Sequence, residues 1–385
     1  MDWSNLPEPG VIRIFSFLSF SERCKASTVC IRWYESFLSP SVWERTLLTF
    51  REPQDERLTE YVTRWGHLIK HLSVDVDQFD SQNREAACKV LRCLSKLRQR
   101  RLNSFTMTFI GVNPMFYSGA EFVECFKELF VVGDRPQFVS LDLSNVKFSI
   151  NEDVMNIIAE NNPGIEKLNI QCDALICKVS PDCMKRTIQR CRNLRDVRLI
   201  SCSLTEDVFK LFTEDGRGQL QHLSLMVRRE QKFAVPISSE CWSVVRAHLP
   251  GLRVSLGFDS TCPMDVIALV LKPEIPVYRI KLAVYAPVED SMFYIPVYYK
   301  ETVETLILHP MANQKFYTAL EFVAKECRNL RTLLVYCVLP KDLIERILEM
   351  CPEMKARGTY ILKSEAEPES KWVMEKDANK SLSQK

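Results

Sequence analysis

From residue 138 onward, sets of three apolar residues recur with the spacing L-x-x-L-x-L. The sets are Phe138/Leu141/Leu143, Ile165/Leu168/Ile170, Leu194/Val197/Leu199, Leu220/Leu223/Leu225, Leu249/Leu252/Val254, Val277/Ile280/Leu282, Val303/Leu306/Leu308 and Leu330/Leu333/Val335. Successive first positions lie 26 to 29 residues apart, a regularity that chance does not hold over eight units. Two looser sets, Ile69/Leu72/Val74 and Leu102/Phe105/Met107, precede them. Residues two apart share one face of a strand, so each set predicts a short strand buried on one side. Between the sets, helical spacing predicts return helices over Glu152–Glu160, Pro181–Arg190, Glu206–Phe212, Ser239–His248, Phe316–Cys327 and Lys341–Met350. The predicted class is α/β.

A strand and its return repeated every 20 to 29 residues is the signature of the leucine-rich repeat. The pattern predicts a solenoid over 66–362, with a parallel curved sheet and outer helices. A unit buries its strand hydrophobes only against its neighbours, at roughly 1.5–3 kcal/mol for each side chain fully buried. Both ends of such a stack need covers. Residues 51–65 read as a linker or helical cap at one end, and the run Tyr360, Ile361, Leu362 reads as a last strand at the other. Beyond it, 363–385 is charged and serine-rich with a single aromatic, which predicts a disordered tail.

The pattern of 1–50 is helical instead. Pro9 fits a first helical turn, and Val11, Ile14, Phe15 and Leu18 follow as one apolar stripe. Ser21 is a plausible cap for a second helix, whose stripe is Ala26, Val29, Cys30 and Trp33. Pro40 interrupts, and Val42 and Trp43 open a last short helix. So small a module, with this much apolar surface, suggests association with a partner. The same residues also fit a cap that uses them internally, and periodicity does not choose between the two.

The run LPEPGVIRIFSFLSFSERCKASTVCIRWYESFLSPSVW resembles an F-box. Leu6, Pro7, Ile14, Phe15, Leu18, Ala26, Val29, Cys30, Trp33 and Trp43 match in order, while Pro9 stands where the family usually has an acidic residue. The resemblance implies docking onto the Skp-type adaptor of an SCF-type cullin-RING ubiquitin ligase. The implied docking residues are Leu6, Pro7, Ile14, Phe15, Leu18, Val29, Cys30, Trp33 and Trp43. It also implies a substrate receptor with no catalytic residue of its own. The unit around Cys191, Leu194, Val197, Leu199, Cys202 and Leu204 resembles the cysteine-type repeats of F-box/leucine-rich-repeat proteins. The stretch YVTRWGHLIKHLSV is similar to the start of the repeat region in F-box only proteins 33 and 39.

Composition narrows the remaining choices. A formal charge of +2 gives no electrostatic case for nucleic acid. No apolar run approaches the ~18 residues of a membrane span, and Asp2 and Glu8 stand where a signal peptide would be basic. The fifteen cysteines lack CxxC pairs and read as reduced, buried hydrophobes. The expected address is the cytoplasm, the nucleus or both. Cys172, Cys177, Cys183 and Cys191 invite a zinc site, but their spacings lack the short pairs such sites use. His67 and His71 have no glutamate between them, and no phosphate-binding glycine motif is present. The aromatic run from Phe293 to Tyr299 reads as packing rather than base stacking. No cofactor or metal is implied.

Strand residues between the buried ones should point away from the core. That outward column is Ser73, Thr106, Asp142, Asn169, Arg198, Ser224, Arg253, Lys281, Ile307 and Leu334, with His309 and Tyr336 in a second column. Arg198, Arg253 and Lys281 beside Ile307, Leu334 and Tyr336 would suit a protein target with acidic and hydrophobic anchors. The alternatives are that the tail or a loop covers the apolar pair, and that the whole chain is a non-ligase F-box/repeat scaffold.

Overall fold

The computed structural model describes residues 6–112, 117–131, 138–172, 174, 176–228 and 235–364. Most of the segment expected to be a disordered tail, 365–385, lies outside the described residues. By its internal contacts the chain divides into two units, 1–199 with 214–219 and 200–213 with 220–385.

The first unit opens with four short helices, α1 (Glu8–Phe17), α2 (Phe20–Ala26), α3 (Ile31–Phe37) and α4 (Pro40–Trp43). Its strands are β1 (Arg45–Phe50), β2 (His71–Val76), β3 (Ser104–Phe109), β4 (Ser140–Asn145), β5 (Lys167–Asn169) and β6 (Asp196–Ile200). Each pairs in parallel with the next. The returns are α5 (Leu58–Trp65), α6 (Ser81–Lys96), α7 (Ala120–Phe130), α8 (Glu152–Asn161) and α9 (Pro181–Arg190). β2 and β3 alternate buried and half-buried residues along their length, as a period of two requires. The first sheet strand, β1, lies inside the 1–50 range assigned to the helical module, and 51–65, read as a linker or helical cap, contains a 3₁₀ turn (Pro53–Arg57) and α5.

The second unit repeats the scheme with β7 (His222–Val227), β8 (Arg253–Phe258), β9 (Val277–Leu282), β10 (Thr305–Leu308), β11 (Thr332–Val338) and β12 (Tyr360–Lys363), again paired in parallel in chain order. Its helices are α10 (Glu206–Lys210), α11 (Ser239–His248), α12 (Met264–Val270), α13 (Val288–Ser291), α14 (Tyr294–Tyr299), α15 (Gln314–Glu326), α16 (Lys341–Met350) and α17 (Pro352–Arg357). The expected last strand is β12. The aromatic run forms α14, where buried Tyr299 donates to the Lys272 carbonyl at 2.9 Å and accepts from the Lys272 amide at 3.0 Å.

Local chemistry fixes where the return helices start. Asp80, Asn151, Ser180, Ser238 and Asn313 each cap a helix by accepting a backbone N–H in its first turn. Between repeats, buried Asn162 donates to the Phe130 carbonyl at 3.0 Å and accepts from the Phe138 amide at 3.1 Å. This side chain satisfies backbone groups that a purely apolar core would leave unpaired.

One strand is displaced from its sequence reading. The set Leu249/Leu252/Val254 falls two residues early, because Leu223 pairs with Val254 and Leu225 with Leu256. Leu249 instead ends α11, and both it and Leu252 are buried before the strand begins, so the spacing matched by coincidence. A register shift between Val254 and Ser255, opposite Tyr278, then brings Gly257 level with Lys281.

Candidate functional site: the face of the N-terminal helices

The N-terminal helices have a core of their own. Phe15 packs on Trp33 (ring centroids 5.8 Å apart) and on Phe37 (5.9 Å). Phe37 meets Trp43 at 4.9 Å, Trp43 stacks on Trp65 at 5.4 Å, and Phe20 touches Trp43 and Tyr61, each at 5.5 Å. Trp43 also donates from Nε1 to the Phe37 carbonyl at 2.6 Å. The arrangement is the offset and edge-on packing that aromatic quadrupoles favour.

Arg23 ties the layers together. Its Nε donates to the carbonyls of Phe15 (2.9 Å) and Leu18 (3.0 Å), and an Nη donates to those of Val42 (2.7 Å) and Arg45 (3.3 Å). One guanidinium thus joins the end of α1, the end of α4 and the start of β1. Burial pulls its pKa down from the usual arginine range.

The second predicted helix is divided. α2 ends at Ala26, a turn follows, and α3 starts after Cys30. The cap is Ser19, two residues before the expected Ser21, in a capping box with Glu22. Its hydroxyl accepts from the Glu22 amide at 3.4 Å, and the Ser19 amide donates to the Glu22 carboxylate at 2.7 Å. Hydrogen bonding to the Ser19 side chain, and then to its amide, holds the Glu22 carboxyl below its ordinary pKa. Ser19→Ala should cost about 1 kcal/mol of stability, read as a small fall in the denaturant midpoint with an unchanged slope.

Starting α3 at Ile31 turns its stripe around. Trp33 and Phe37, four apart, face the core, while Ile31, Tyr34 and Leu38 fall at i, i+3 and i+7 on the other side. Ile31 is 79% exposed, Tyr34 and Leu38 38% each, Val29 62% and Phe17 73%. Arg13 lies over the Phe17 ring at 4.7 Å. Single exposed hydrophobics need no explanation, but Ile31, Tyr34 and Leu38 share one side of α3.

Of the expected docking residues, Phe15 and Trp43 are fully inside this core, 0% and 2% exposed. Leu6, Ile14, Leu18, Cys30 and Trp33 are half-buried, and Pro7 and Val29 are exposed. Sequence reading missed Phe17, Ile31 and Tyr34 as exposed apolar positions. The signal for two of them was present in the i, i+3, i+7 spacing that ends at Leu38.

A family model described as F-box-like matches residues 3–49. Residues 3–49 are an F-box-like domain. The chain as a whole is that F-box-like domain followed by leucine-rich repeats. Over most of its length it is similar to F-box/LRR-repeat protein 8 of Homo sapiens, 25% identical over 364 residues, which cover 94% of this chain and 96% of that one. It is 25% identical to F-box/LRR-repeat protein 21 of Bos taurus over 276 residues, 67% of this chain and 60% of that one. It is 22% identical to F-box only protein 33 of Mus musculus over 346 residues, 73% and 60% of the two chains.

The residues expected to bind a target separate in the structure. Arg198, in the first unit, is held by Asp196 through two bonds of 3.0 Å, and its register partner is Asn169. In the second unit, the displaced β8 puts Arg253 level with His222. There it stacks over Tyr278 at 4.2 Å and pairs with Glu304 at 2.8 Å, which Arg331 also approaches at 4.0 Å. Lys281 belongs to a different row, Met226, Gly257, Lys281, Ile307, Leu334 and Ile361, all level with one another. Arg253 and Lys281 are therefore not the adjacent pair that the sequence column implied. His309 and Tyr336 stack face to face, their centroids 4.4 Å apart. Ile307 and Leu334, expected as an open apolar patch, are each only 6% exposed. Parallel register sets each against its neighbours in the row at about 4.8 Å, which removes much of their surface.

Among the described residues, no group of three or more His, Cys, Asp or Glu side chains is placed to hold a metal ion, and no helix is long and apolar enough to cross a membrane. Cys172, Cys183 and Cys191 are buried, and burial pushes the Cys183 and Cys191 thiols up to about 11. At pH 8 each would be about one part in a thousand thiolate. Iodoacetamide at that pH should leave Cys183 and Cys191 unmodified in the native protein and alkylate both in guanidinium, as read by peptide mass spectrometry.

Proposed function

We propose that this protein is the substrate-recognition subunit of an SCF-type cullin-RING E3 ubiquitin ligase. The F-box-like domain docks a Skp-type adaptor, and the repeats hold a target protein whose identity is open. The observation that carries the reading is the exposed side of α3, Ile31, Tyr34 and Leu38, on a domain whose core is already filled and which also exposes Phe17 and Val29. A solvated stripe of this kind stabilises nothing inside the chain, so its apolar character is explained by a partner. Similarity to F-box/LRR-repeat proteins over nearly the full length supports the same role for the repeats.

The contribution is proximity without catalysis: a tethered target presents its lysines at high local concentration to a ligase-bound conjugating enzyme. Nucleic acid and membrane play no part in the reading, and the site of action is the cytoplasm, the nucleus or both. The test is affinity purification of the tagged full chain from cells, wild type against Ile31→Asp. Recovery of a Skp-type adaptor with a cullin by the wild type, and of neither by the variant, is the expected result. Adaptor without cullin would favour the scaffold reading. Neither protein in the wild type would leave the helices as a cap for the repeats.

A further inference from the structure

The last strand of the second unit is open along one edge. Among the described residues, β12 pairs with β11 and with no other strand. The Leu333 amide donates to the Thr359 carbonyl at 3.2 Å, and the Leu339 amide to the Lys363 carbonyl at 2.8 Å. Backbone groups alternate sides along a strand, so Thr359, Ile361 and Lys363 turn theirs toward β11. Tyr360 and Leu362 turn theirs outward, leaving two amides and two carbonyls along the open edge.

The core is under-covered at the same end. Tyr360 is level with Leu333, which puts Tyr360 and Leu362 on the core side of the sheet. On that side of the two preceding strands, Leu306, Leu308, Leu333 and Val335 are at most 1% exposed, whereas Tyr360 and Leu362 are only half-buried. The helix layer shows the same contrast. Phe316, Leu320 and Val323 of α15 are fully buried, while Ile344 and Leu348 of α16 are half-buried and Met350 is 39% exposed. A repeat buries its hydrophobes against its neighbours, and none of the described residues supplies the next neighbour here.

We propose that this neighbour is a second copy of the chain, joined edge to edge through β12 in an antiparallel register centred on Ile361.

The open groups select the register. A two-fold axis at Ile361 sets Tyr360 opposite Leu362 of the second copy. The two residues exchange both amide–carbonyl bonds, and symmetry repeats the exchange, so every open group of Tyr360 and Leu362 is used. A slip by one residue would turn groups already bonded to β11 toward the new partner, and a slip by two would use fewer of the open ones.

The side chains agree with that register. Tyr360 falls beside Leu362 of the second copy on the core side, an aromatic–aliphatic pair that covers both ends at once, and Ile361 meets its own copy on the other side. Lys363, the one charged residue of β12, falls opposite Thr359 and not opposite another cation. β12 has no proline and no charge before Lys363, so two of the devices that keep an edge strand single are missing. One edge supplies both halves of this fit, which favours a second copy over an unrelated strand. The dimer requires neither adaptor nor target and is independent of the reading under Proposed function.

The experiment is light scattering on the full chain over a dilution series reaching about 100 μM, which populates a dimer of micromolar Kd. The wild type should show a dimer mass that falls to the monomer mass on dilution. Leu362→Pro removes an amide that faces away from β11, where an edge strand tolerates proline. It should stay monomeric throughout with an unchanged circular dichroism spectrum. Ile361→Cys reads the register even if the proline variant misfolds. Two residues facing each other at that position have Cα atoms about 4.5 Å apart, within reach of a disulfide. Diamide should therefore join the chain to its copy through position 361, as read by peptide mass spectrometry, whereas Thr359→Cys should give no such link to itself. A monomer mass for the wild type at every concentration would overturn the proposal and leave the edge to a target strand or an intrachain cover. A dimer that survives in folded Leu362→Pro, or that gives no link through position 361, would overturn it by moving the contact elsewhere.

Discussion

Trp43→Ala is expected to lower the stability of the N-terminal unit by about 3–5 kcal/mol, the usual range for emptying a buried aromatic site. Four aromatic side chains contribute to that range here, since Trp43 is in contact with Phe20, Phe37 and Trp65, and Trp65 in turn stacks on Tyr61 at 5.7 Å. The indole also donates to the Phe37 carbonyl, and its removal leaves a buried acceptor unpaired at roughly 1–3 kcal/mol, a loss already within the measured range for such substitutions. For a unit of about 200 residues this corresponds to a fall in Tm of roughly 6–20 °C. Near-ultraviolet circular dichroism, which reads aromatic packing, would follow it through a thermal or guanidinium transition. A loss below about 1 kcal/mol would mean that the ring cluster closes over the gap, and that Trp43 is not its centre.

Ile31→Asp combined with Leu38→Asp is expected to do the opposite. Ile31 is solvent-facing and Leu38 38% exposed, so the fall in stability should be small beside that of Trp43→Ala. Adaptor affinity should fall steeply. If each aliphatic is buried by the partner, it contributes roughly 1.5–3 kcal/mol, so the pair accounts for roughly a hundredfold to ten-thousandfold in Kd. Placing carboxylates in a desolvated interface adds to that loss. Titration calorimetry of the purified full chain with a Skp-type adaptor reads the effect directly. Unchanged binding would move the docking site off α3 altogether. Run side by side, the two substitutions separate a core defect, which lowers Tm and binding together, from a face defect, which lowers binding alone.

The architecture was largely legible because the repeat depends on hydrophobic period, and period survives drift in individual residues. Pro181–Arg190, Ser239–His248 and Lys341–Met350 come out with the predicted bounds, two of them behind a serine whose hydroxyl accepts from the first turn. Two well-formed helices were not anticipated: α7, which has no side-chain cap, and α6, although Asp80 caps it. β8 shows how period misleads. Leu249 and Leu252 are buried for reasons of helix termination, and they imitate strand positions two residues before the strand.

Which side of α3 is exposed was less legible, for a related reason. A stripe on a helix has two sides, and with Trp33, Phe37, Ile31 and Leu38 all apolar the sequence cannot say which side the core takes. Ring size decides it. Trp33, Phe37 and Trp43 fill a volume that Ile31 and Leu38 could not, so the larger side chains go inward and the aliphatics are left outside.

The bonds of Arg23 carry a consequence for angular freedom. Its guanidinium spans the end of α1, the end of α4 and Arg45 at the first residue of β1, and β1 is in register with β2 over six residues. Between the exposed side of α3 and β1, among the described residues, there is no segment of free chain that could serve as a pivot. A body held on the first strands of this unit would keep a fixed bearing toward whatever grips the helices. Which of its side chains comes within reach of a neighbouring active site would then be set by its own pose, and swivelling of the N-terminal helices would do nothing to widen the choice.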